Sequence, residues 1–440
     1  MGLLLYRFRY LWESREGRSM TRAIEATAAA APAPSFFERP GVQQVILPVG
    51  PGIPLGTESI FSPALGIGGV YGTWGTSYDN MALRAFIEHR LGESLKDEEV
   101  MNLAELGFLH RHHLPDLSEA EHLELELEVG SRLLREAARV NGWEPSEVQG
   151  VLIGMSGPVA DDYAVQIARR AGIPEDALKV SVHKACDGSM GALHLALNPD
   201  LASPGQVNIA ETLRGKKVLV GGIEGLSRFT RRARDKNALQ LFGNGAGVIG
   251  VIPGQTMRFL VGKSHEVFDE EGLLEVRMFY PYSRPKDAGQ SLVEVSQDAP
   301  DQVRVAGLMH EPEDGSPVVM AGLMGMVKLF VRNGVRVVSE VMREYEALMG
   351  KLGTPDKPIT VAIVHHANFK INQLLAKQLG KVGIRFPMPW LLSEFGNVSA
   401  ASNMIAFLRQ LPKIRAGDNV LFDGFGAGTY YDVMAVALGT

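Results

Sequence analysis

The stretch "VSVHKACDGSMGALHLAL", Val180 to Leu197, holds Cys186, the only cysteine in a chain of 440 residues. It opens as a β-branched run that reads as a strand and closes as an apolar, small-residue run that reads as a helix. Cys186 therefore falls at the corner where strand gives way to helix. Unpaired N–H groups and the positive end of the helix dipole gather at such a corner. Both favour thiolate over thiol, and thiolate is the nucleophile. An isolated cysteine is just as readily a small buried hydrophobe. The surrounding sequence has to decide.

Outward from this corner the chain says the same thing twice. An amphipathic helix, "AEHLELELEVGSRLLREAARVNG", and an apolar strand, "GVLIGMSG", precede it, and a second strand, "KKVLVGGIEG", follows. The order returns with "VKLFVRNGVRVVSEVMREYEALMG", "ITVAIVHHAN", "FGNVSAASNMIAFLRQL" and "NVLFDGFGAG". Gly154 and Cys186 lie 32 residues apart (186 − 154), and so do His365 and Asn397 (397 − 365). Strands this apolar, alternating with helices, predict sheets buried on both faces. Two similar α/β halves are expected, residues 61–254 and 255–440, with the seam near "VIPGQT" at 251–256. A pseudo-twofold relation would make the two helix-opening corners neighbours, Cys186 beside Asn397. Residues 1–60 include the Ala/Pro-rich "AIEATAAAAPAPSFFERP" and lack a sustained period. They are expected to form a flexible or surface-hugging extension.

Composition removes several function classes. A net charge of −6 with no standout basic block argues against a nucleic-acid surface, and none is expected. One cysteine allows no intrachain disulfide, nothing points to an oxidising compartment, and a cytoplasmic protein is expected. In "MGLLLYRFRYLW", Arg7 and Arg9 break the apolar run too early for a signal peptide. Tyr6 stands where a myristoylation pattern needs Ser or Thr. No segment reaches the roughly 18 uninterrupted apolar residues of a membrane span. "HRHH" (His110, His112, His113) lacks zinc spacing and is expected on a solvated turn. "RFTRRARDK", Arg228 to Lys236, is expected to be a solvated basic loop. "GFGAGTYYDVMAVAL" continues as a strand, so it is no dinucleotide loop.

"VAIVHHANFKI" sets His365, His366 and Asn368 directly after a buried strand, where α/β proteins line their functional crevice. "FGNVSAAS" offers Asn397 just before a helix, where a plain N-cap is the ordinary role. The repeat directs all of these to the cysteine's corner. "ACDGS", "HHANFKI" and "GNVSAAS" resemble the Cys, His-x-Ala-Asn and Gly-Asn-x-Ser motifs of β-ketoacyl-ACP synthase III, in the thiolase-like superfamily. "GIEGLSRFT", "LFGNGAGVIGVI", the closing "GFGAG" and, more weakly, "LGFLHRHHL" are similar as well, so the resemblance runs from about residue 65 to the C-terminus.

The resemblance implies a thiolase-like fold, two similar α/β halves in αβαβα layers, and a homodimer. It implies that Cys186 takes an acyl group from a thioester, with backbone N–H groups of Cys186 and near Gly426–Ala427 as the oxyanion hole. His365 and Asn397 would then hydrogen-bond the carbonyl of a malonyl-type thioester during decarboxylating Claisen condensation, in fatty-acid or polyketide synthesis. Acyl carrier protein, acyl-CoA and malonyl thioesters are the implied partners; no metal or cofactor is implied. A related acyl-transferring or non-decarboxylating enzyme, or a silent carrier-binding partner, are the alternatives. Asn368 and Lys370 match the family's Asn-x-Arg positions and are expected to bind substrate. Three residues depart from the pattern. Asp187 stands where a small neutral residue is usual, and would raise the thiol pKa unless it points away or caps the helix. Met101 and Glu105 stand where an acetyl-CoA user carries a tryptophan and an arginine, so Glu105 would repel CoA phosphates.

Overall fold

The computed structural model describes residues 34–50, 52–156, 160, 162–201, 207–230, 233, 235–266, 277–278, 293–295, 302–306, 318–319, 327–426 and 430–439. Its strands are β1 (Gln43–Leu47), β2 (Ile53–Ser62), β3 (Ile67–Trp74), β4 (Thr76–Asp79), β5 (His110–His113), β6 (Gly150–Met155), β7 (Leu178–His183), β8 (Val218–Glu224) and β9 (Gly245–Val251). They continue with β10 (Met257–Glu266), β11 (Arg277–Met278), β12 (Val293–Val295), β13 (Gln302–Ala306), β14 (Val318–Val319), β15 (Ile359–Val364), β16 (Asn419–Gly426) and β17 (Tyr430–Leu438).

Every residue of β3, β6, β7, β8, β9, β16 and β17 is buried. Strands without a wet face need cover on both sides, and the helices supply it. One sheet has the order β1-β2-β3-β9-β8-β6-β7-β13-β12, and a second has β10-β17-β16-β15. In the second sheet the Ala362 N–H donates to the Pro387 carbonyl at 2.9 Å, so an extended segment lies where the first sheet has β7. The chain crosses from one sheet to the other between Val251 and Met257.

Helices Glu119–Val140 and Tyr163–Ala171 cover the outer face of the first sheet, setting Leu125, Leu134 and Ile167 against Val151 and Ile153. The longer of them begins at a capping box, in which the Ser118 N–H donates to Glu121 at 2.7 Å and the Glu121 N–H donates back to Ser118 Oγ. Gly334–Lys351 and Phe369–Lys381 do the same for the second sheet, with Val337, Val341 and Leu375 against Leu421 and Val433. Gly188–Leu197 and Ser402–Gln410 lie between the sheets, in one cluster with Val180, Ile249, Val420 and Val436. The layers are therefore αβαβα. Gly188–Leu197 is buried all round, as a helix between two sheets must be. It approaches β6 so closely that a Cβ on Gly154 would stand 2.1 Å from the Gly188 carbonyl carbon.

Part of the expected extension belongs to the sheet. β1 pairs antiparallel with β2, and β2 with β3, so residues 43–60 are built in rather than appended. The sequence hid this because four of the five β1 residues are exposed, which leaves an edge strand without a readable period. Just before it, Phe36 is buried with its ring 4.8 Å from that of Phe395. Residues 1–33 lie outside the described residues. A second departure is that β12 and β13 come from the chain's second half yet extend the first sheet, with β13 parallel to β7.

Candidate active site

Chain geometry at the Cys186 corner is strained in a defined way. After β7, Ala185 adopts left-handed backbone (φ 49°), and a 3₁₀ turn over Ala185–Asp187 feeds the helix Gly188–Leu197. Cys186 sits in that turn, outside any disulfide and 8% exposed. The end of β16 closes over it. A Cβ on Gly426 would lie 3.1 Å from the Cys186 nitrogen and 2.5 Å from the Lys184 carbonyl oxygen, so only glycine fits there. Ala427, the other expected oxyanion contributor, lies outside the described residues.

His365 follows β15, and its N–H donates to the Asp423 carbonyl at 2.8 Å. Burial, with His366 beside it, pulls its pKa down to about 3, so the imidazole is neutral. Nδ1 lies 2.6 Å from Ser402 Oγ, and Nε2 has no hydrogen-bond partner among the described residues. His366 is different. Its Nδ1 donates to the Val364 carbonyl at 2.8 Å, its Nε2 accepts from the Leu391 N–H at 3.1 Å, and its ring lies 4.6 Å from Trp390. Both of its nitrogens are engaged within the protein, so of the two adjacent histidines it is His365 that has a nitrogen to offer.

Asn397 is 3% exposed. Its Oδ1 accepts the Ser399 N–H at 2.9 Å, which turns the amide nitrogen toward the Ala367 carbonyl, 3.4 Å away, on the loop that carries His365. The amide is thus fixed as a donor. The 3₁₀ turn Ser399–Ala401 that follows packs directly on the Cys186 turn. His365, Asn397 and the Cys186 turn therefore share one corner between the halves. The symmetry is not the one the equal 32-residue spacings suggested. Among the described residues Ser399 is the other left-handed non-glycine residue (φ 45°), matching Ala185, so Ala400 is the mate of Cys186. Asn397 instead takes the place of His183.

The remaining expected residues fall as follows. Asp187 is fully buried and points toward Lys184, its carboxylate 3.6 Å from Nζ. Asn368 caps the helix Phe369–Lys381, its Oδ1 accepting the Ile371 N–H at 2.9 Å. Lys370 pairs with Glu105, so the expected cation and the expected repelling acid neutralise each other. The Met101 N–H donates to Gln240 at 2.8 Å. "HRHH" is no solvated turn. It is β5, paired with β4, and Arg111, His112 and His113 are buried there, with Phe37 edge-on to His112 at 4.6 Å and Phe86 stacked on His113 at 5.4 Å. Arg228 is likewise no free basic residue: its Nε donates to Glu126 at 3.0 Å, while Lys236 meets Glu93 and Glu99 at 3.0 Å. Residues 231, 232 and 234 lie outside the described residues. A surface cavity of about 300 Å³ lined by Leu197, Pro199, Ala210, Arg214 and Phe259 opens at the far end of the central helix from Cys186.

Sequence reasoning missed Ser402 and Glu224 as site residues. Glu224 accepts from the Ser156 N–H and hydroxyl, both at 2.7 Å, and from the Ala400 N–H at 3.1 Å, and burial pushes its pKa up to about 8. An acid ending an otherwise apolar strand, "VLVGGIE", was the available signal.

Residues 349–438 match the family described as 3-oxoacyl-[acyl-carrier-protein (ACP)] synthase III C terminal, a span that includes His365 and Asn397. The chain is 25% identical over 312 residues to the β-ketoacyl-[acyl-carrier-protein] synthase III of Clostridium tetani, covering 68% of this chain and 80% of that protein. It is 24% identical over 300 residues to the enzyme of the same name from Coxiella burnetii, covering 67% and 78%. Among solved structures it is similar to 3-oxoacyl-[acyl-carrier-protein] synthase III from Aquifex aeolicus, with a TM-score of 0.54, 19% identity and coverage of 90% and 100%. It is also similar to 1,3,6,8-tetrahydroxynaphthalene synthase from Streptomyces coelicolor, a type III polyketide synthase, with a TM-score of 0.58, 12% identity and coverage of 83% and 96%. The fold is thiolase-like.

Proposed function

We propose that this chain, an acyltransferase resembling β-ketoacyl-ACP synthase III, joins an acyl thioester to a malonyl-type thioester through an acyl group held on Cys186. One observation carries the reading. A neutral histidine with an unengaged Nε2 is bonded to Asp423 of β16 and to Ser402, and an asparagine amide oriented as a donor precedes the Ser399–Ala401 turn. Both β16 and that turn pack against the turn of the only cysteine.

In the first step the Cys186 thiolate attacks the acyl carbonyl; a C–S bond forms and the carbonyl electrons move to oxygen. Backbone N–H groups at Cys186 and around Gly426–Ala427 hold that oxyanion. Its collapse expels the donor thiolate, which takes up a proton. In the second step the malonyl C–C bond to the carboxylate breaks and CO₂ leaves. The electron pair moves into the thioester as an enolate, whose oxygen accepts hydrogen bonds from His365 Nε2–H and the Asn397 amide. The enolate carbon attacks the acyl-cysteine, a C–C bond forms, and the Cys186 thiolate departs. This chemistry uses His365 as a neutral donor, which its depressed pKa supports. The proton stands on Nε2 when the Ser402 hydroxyl donates to Nδ1 across 2.6 Å rather than to Asn403 Oδ1 at 3.3 Å.

Partners follow from the thioesters: an acyl carrier protein or CoA as donor, and a malonyl thioester as extender. The Glu105–Lys370 pair favours the carrier, because it offers a CoA phosphate no unbalanced cation. Among the described residues no helix is long and apolar enough to cross a membrane, and a cytoplasmic homodimer is the form we propose. A second copy cannot pair with the β7 edge while β13 occupies it. The test is intact-protein mass after exposure to matched acyl-carrier and acyl-CoA thioesters, followed by malonyl thioester. We expect a single acyl adduct on Cys186, released as product with CO₂. A protein that takes no adduct from any donor, or keeps its adduct when malonyl thioester is added, would overturn the reading.

A further inference from the structure

Two residues close to Cys186 in the chain, Lys184 two positions before it and Asp187 directly after it, carry charge-bearing side chains, and both are buried. Lys184 and Asp187 stand three apart, on the same side of a tight turn, 4% and 0% exposed. The ammonium of Lys184 hydrogen-bonds Asp432 on β17, lies 3.6 Å from the Asp187 carboxyl group, and donates to Ser264 Oγ at 3.2 Å. Ser264 is the cross-strand partner of Asp432, so β10 and β17 present one receptor to the turn. Asp432 Oδ1 lies 2.7 Å from His194 Nδ1 on the central helix. Asn198 fixes that ring: its Oδ1 accepts the Asp200 N–H at 3.0 Å, so its NH₂ donates to His194 Nε2 at 3.1 Å. The histidine proton therefore sits on Nδ1 and is donated to Asp432.

Two glycines make room for the cluster. A Cβ on Gly191 would stand 2.8 Å from Lys184 Cδ, and one on Gly424 would stand 2.1 Å from Asp187 Oδ1. The opposite turn has nothing comparable, with Val398 and Ala401 in the matching places. Buried ions cost free energy that apolar packing would not, so their presence at one turn and not its mate calls for a role beyond stability.

We propose that Lys184, Asp187 and Asp432 form a clamp that positions the Cys186 turn, holding the chain two residues before the thiol and one residue after it so that Cys186 faces the opposite side. Lys184 is a positioning residue, anchoring the left-handed Ala185 to the sheet of the other half. This rests on the reading of Cys186 as the nucleophile. The charges balance: Lys184 is cationic, and its ammonium with the His194 N–H outweighs burial and holds Asp432 ionised. Burial and the Asp432 charge push the Asp187 carboxyl well above its usual range, so it keeps its proton. The acid beside the thiol therefore contributes no charge. The groups facing Asp187 are Lys184 on its own turn, Asp432 on β17, and the Gly424 backbone on β16.

Because Cys186 is the only cysteine, iodoacetamide alkylation reports this thiol alone and needs no substrate. The rate against pH gives its midpoint. Asp187→Asn should leave the midpoint within about 0.3 pH unit, whereas Lys184→Met should raise it by about one unit. In Lys184→Met, acyl loading should slow at least about tenfold in kcat with KM within about twofold, as misplacement of a reacting group does. If Lys184→Met fails to fold, Lys184→Met with Asp432→Asn removes the pair without leaving a lone ion, and is read in the same way. A folded variant with the wild-type midpoint and loading rate would overturn the clamp. A midpoint lowered by a unit in Asp187→Asn would overturn the neutral acid. Midpoints that shift as expected, in a protein that no thioester acylates, would leave the clamp standing and defeat the acyl-enzyme reading.

Discussion

The turns at Ala185–Asp187 and Ser399–Ala401 are built alike, each placing a non-glycine residue in left-handed backbone and each opening a helix between the sheets. They differ in what faces them. At the second turn the Ala400 N–H donates to Glu224, and the Ser399 N–H donates to Asn397. At the first, the position against the Cys186 nitrogen is taken by Gly426, which has no side chain to accept from it. One backbone device, repeated by the two halves, thus faces a glutamate side chain on one side and a glycine on the other. The lesson is that the side chains of the facing strands, more than the turn itself, set the two corners apart, and on the proposed function this is what would divide nucleophile from donor.

The hardest test of this comparison moves the thiol from one turn to the other. Cys186→Ala should abolish acyl loading, and adding Ala400→Cys should not restore it, because Glu224 already holds the N–H that an oxyanion would need. Intact mass after incubation with acyl thioester reads both. A transplanted thiol that loads would show that the turn alone suffices. Next in size are His365→Ala and Asn397→Ala, which should still load but condense on the order of 100- to 1000-fold more slowly, as removal of an oxyanion donor typically does. If either lost loading as completely as Cys186→Ala while staying folded, the division between the turns would be wrong.

The sequence made legible what depends on apolarity and on residue type. Fully apolar strands such as Gly150–Met155 announced a doubly covered sheet, and a histidine after such a strand, with a cysteine and an asparagine at the openings of helices, marked the corner. What it concealed depends on which atom meets which. His365 and His366 are adjacent and identical in type, and only the hydrogen bonds of His366 to Val364 and Leu391 set them apart. Asp187 looked like a threat to the thiolate until its direction, toward Lys184, was known. The equal 32-residue spacings misled because spacing counts residues, whereas the mates are defined by the left-handed positions 185 and 399. β1 was missed because exposed edge strands carry no burial period.

Ser402 gives a smaller, sharper test. Ser402→Ala removes the group that orients His365 Nδ1, and should slow condensation about tenfold, the value of one lost hydrogen bond, while loading is unchanged. The pH dependence has a definite sign. With its folded pKa at about 3, His365 stays neutral as pH falls through its ordinary value of 6.5. Single-turnover condensation by preloaded enzyme should therefore show no histidine break between about pH 5 and 8. A break near 6.5 would mean that His365 titrates freely. Stability follows the same linkage: the unfolded chain takes up this proton first, so the contribution is complete above 6.5 and declines as pH falls below it.

The smallest effects come from relaxing the two left-handed residues. A non-glycine residue there costs roughly 1 kcal/mol, and the extra freedom of glycine in the unfolded chain cancels most of the gain from replacing it. Ala185→Gly should therefore change urea stability by less than about 0.5 kcal/mol. Ser399 carries an additional burden, since its hydroxyl is buried without a hydrogen-bond partner among the described residues. Deleting such a group relieves about 1 kcal/mol or more, so Ser399→Gly should be the more stabilising of the pair by about that amount. Activity should separate them again: Ala185→Gly should slow loading a few-fold, because the nucleophile turn becomes looser, and Ser399→Gly should touch condensation alone, through Asn397. Equal stability changes would show that the Ser399 hydroxyl is satisfied after all. Loading that slows in Ser399→Gly would show that the two turns move as one.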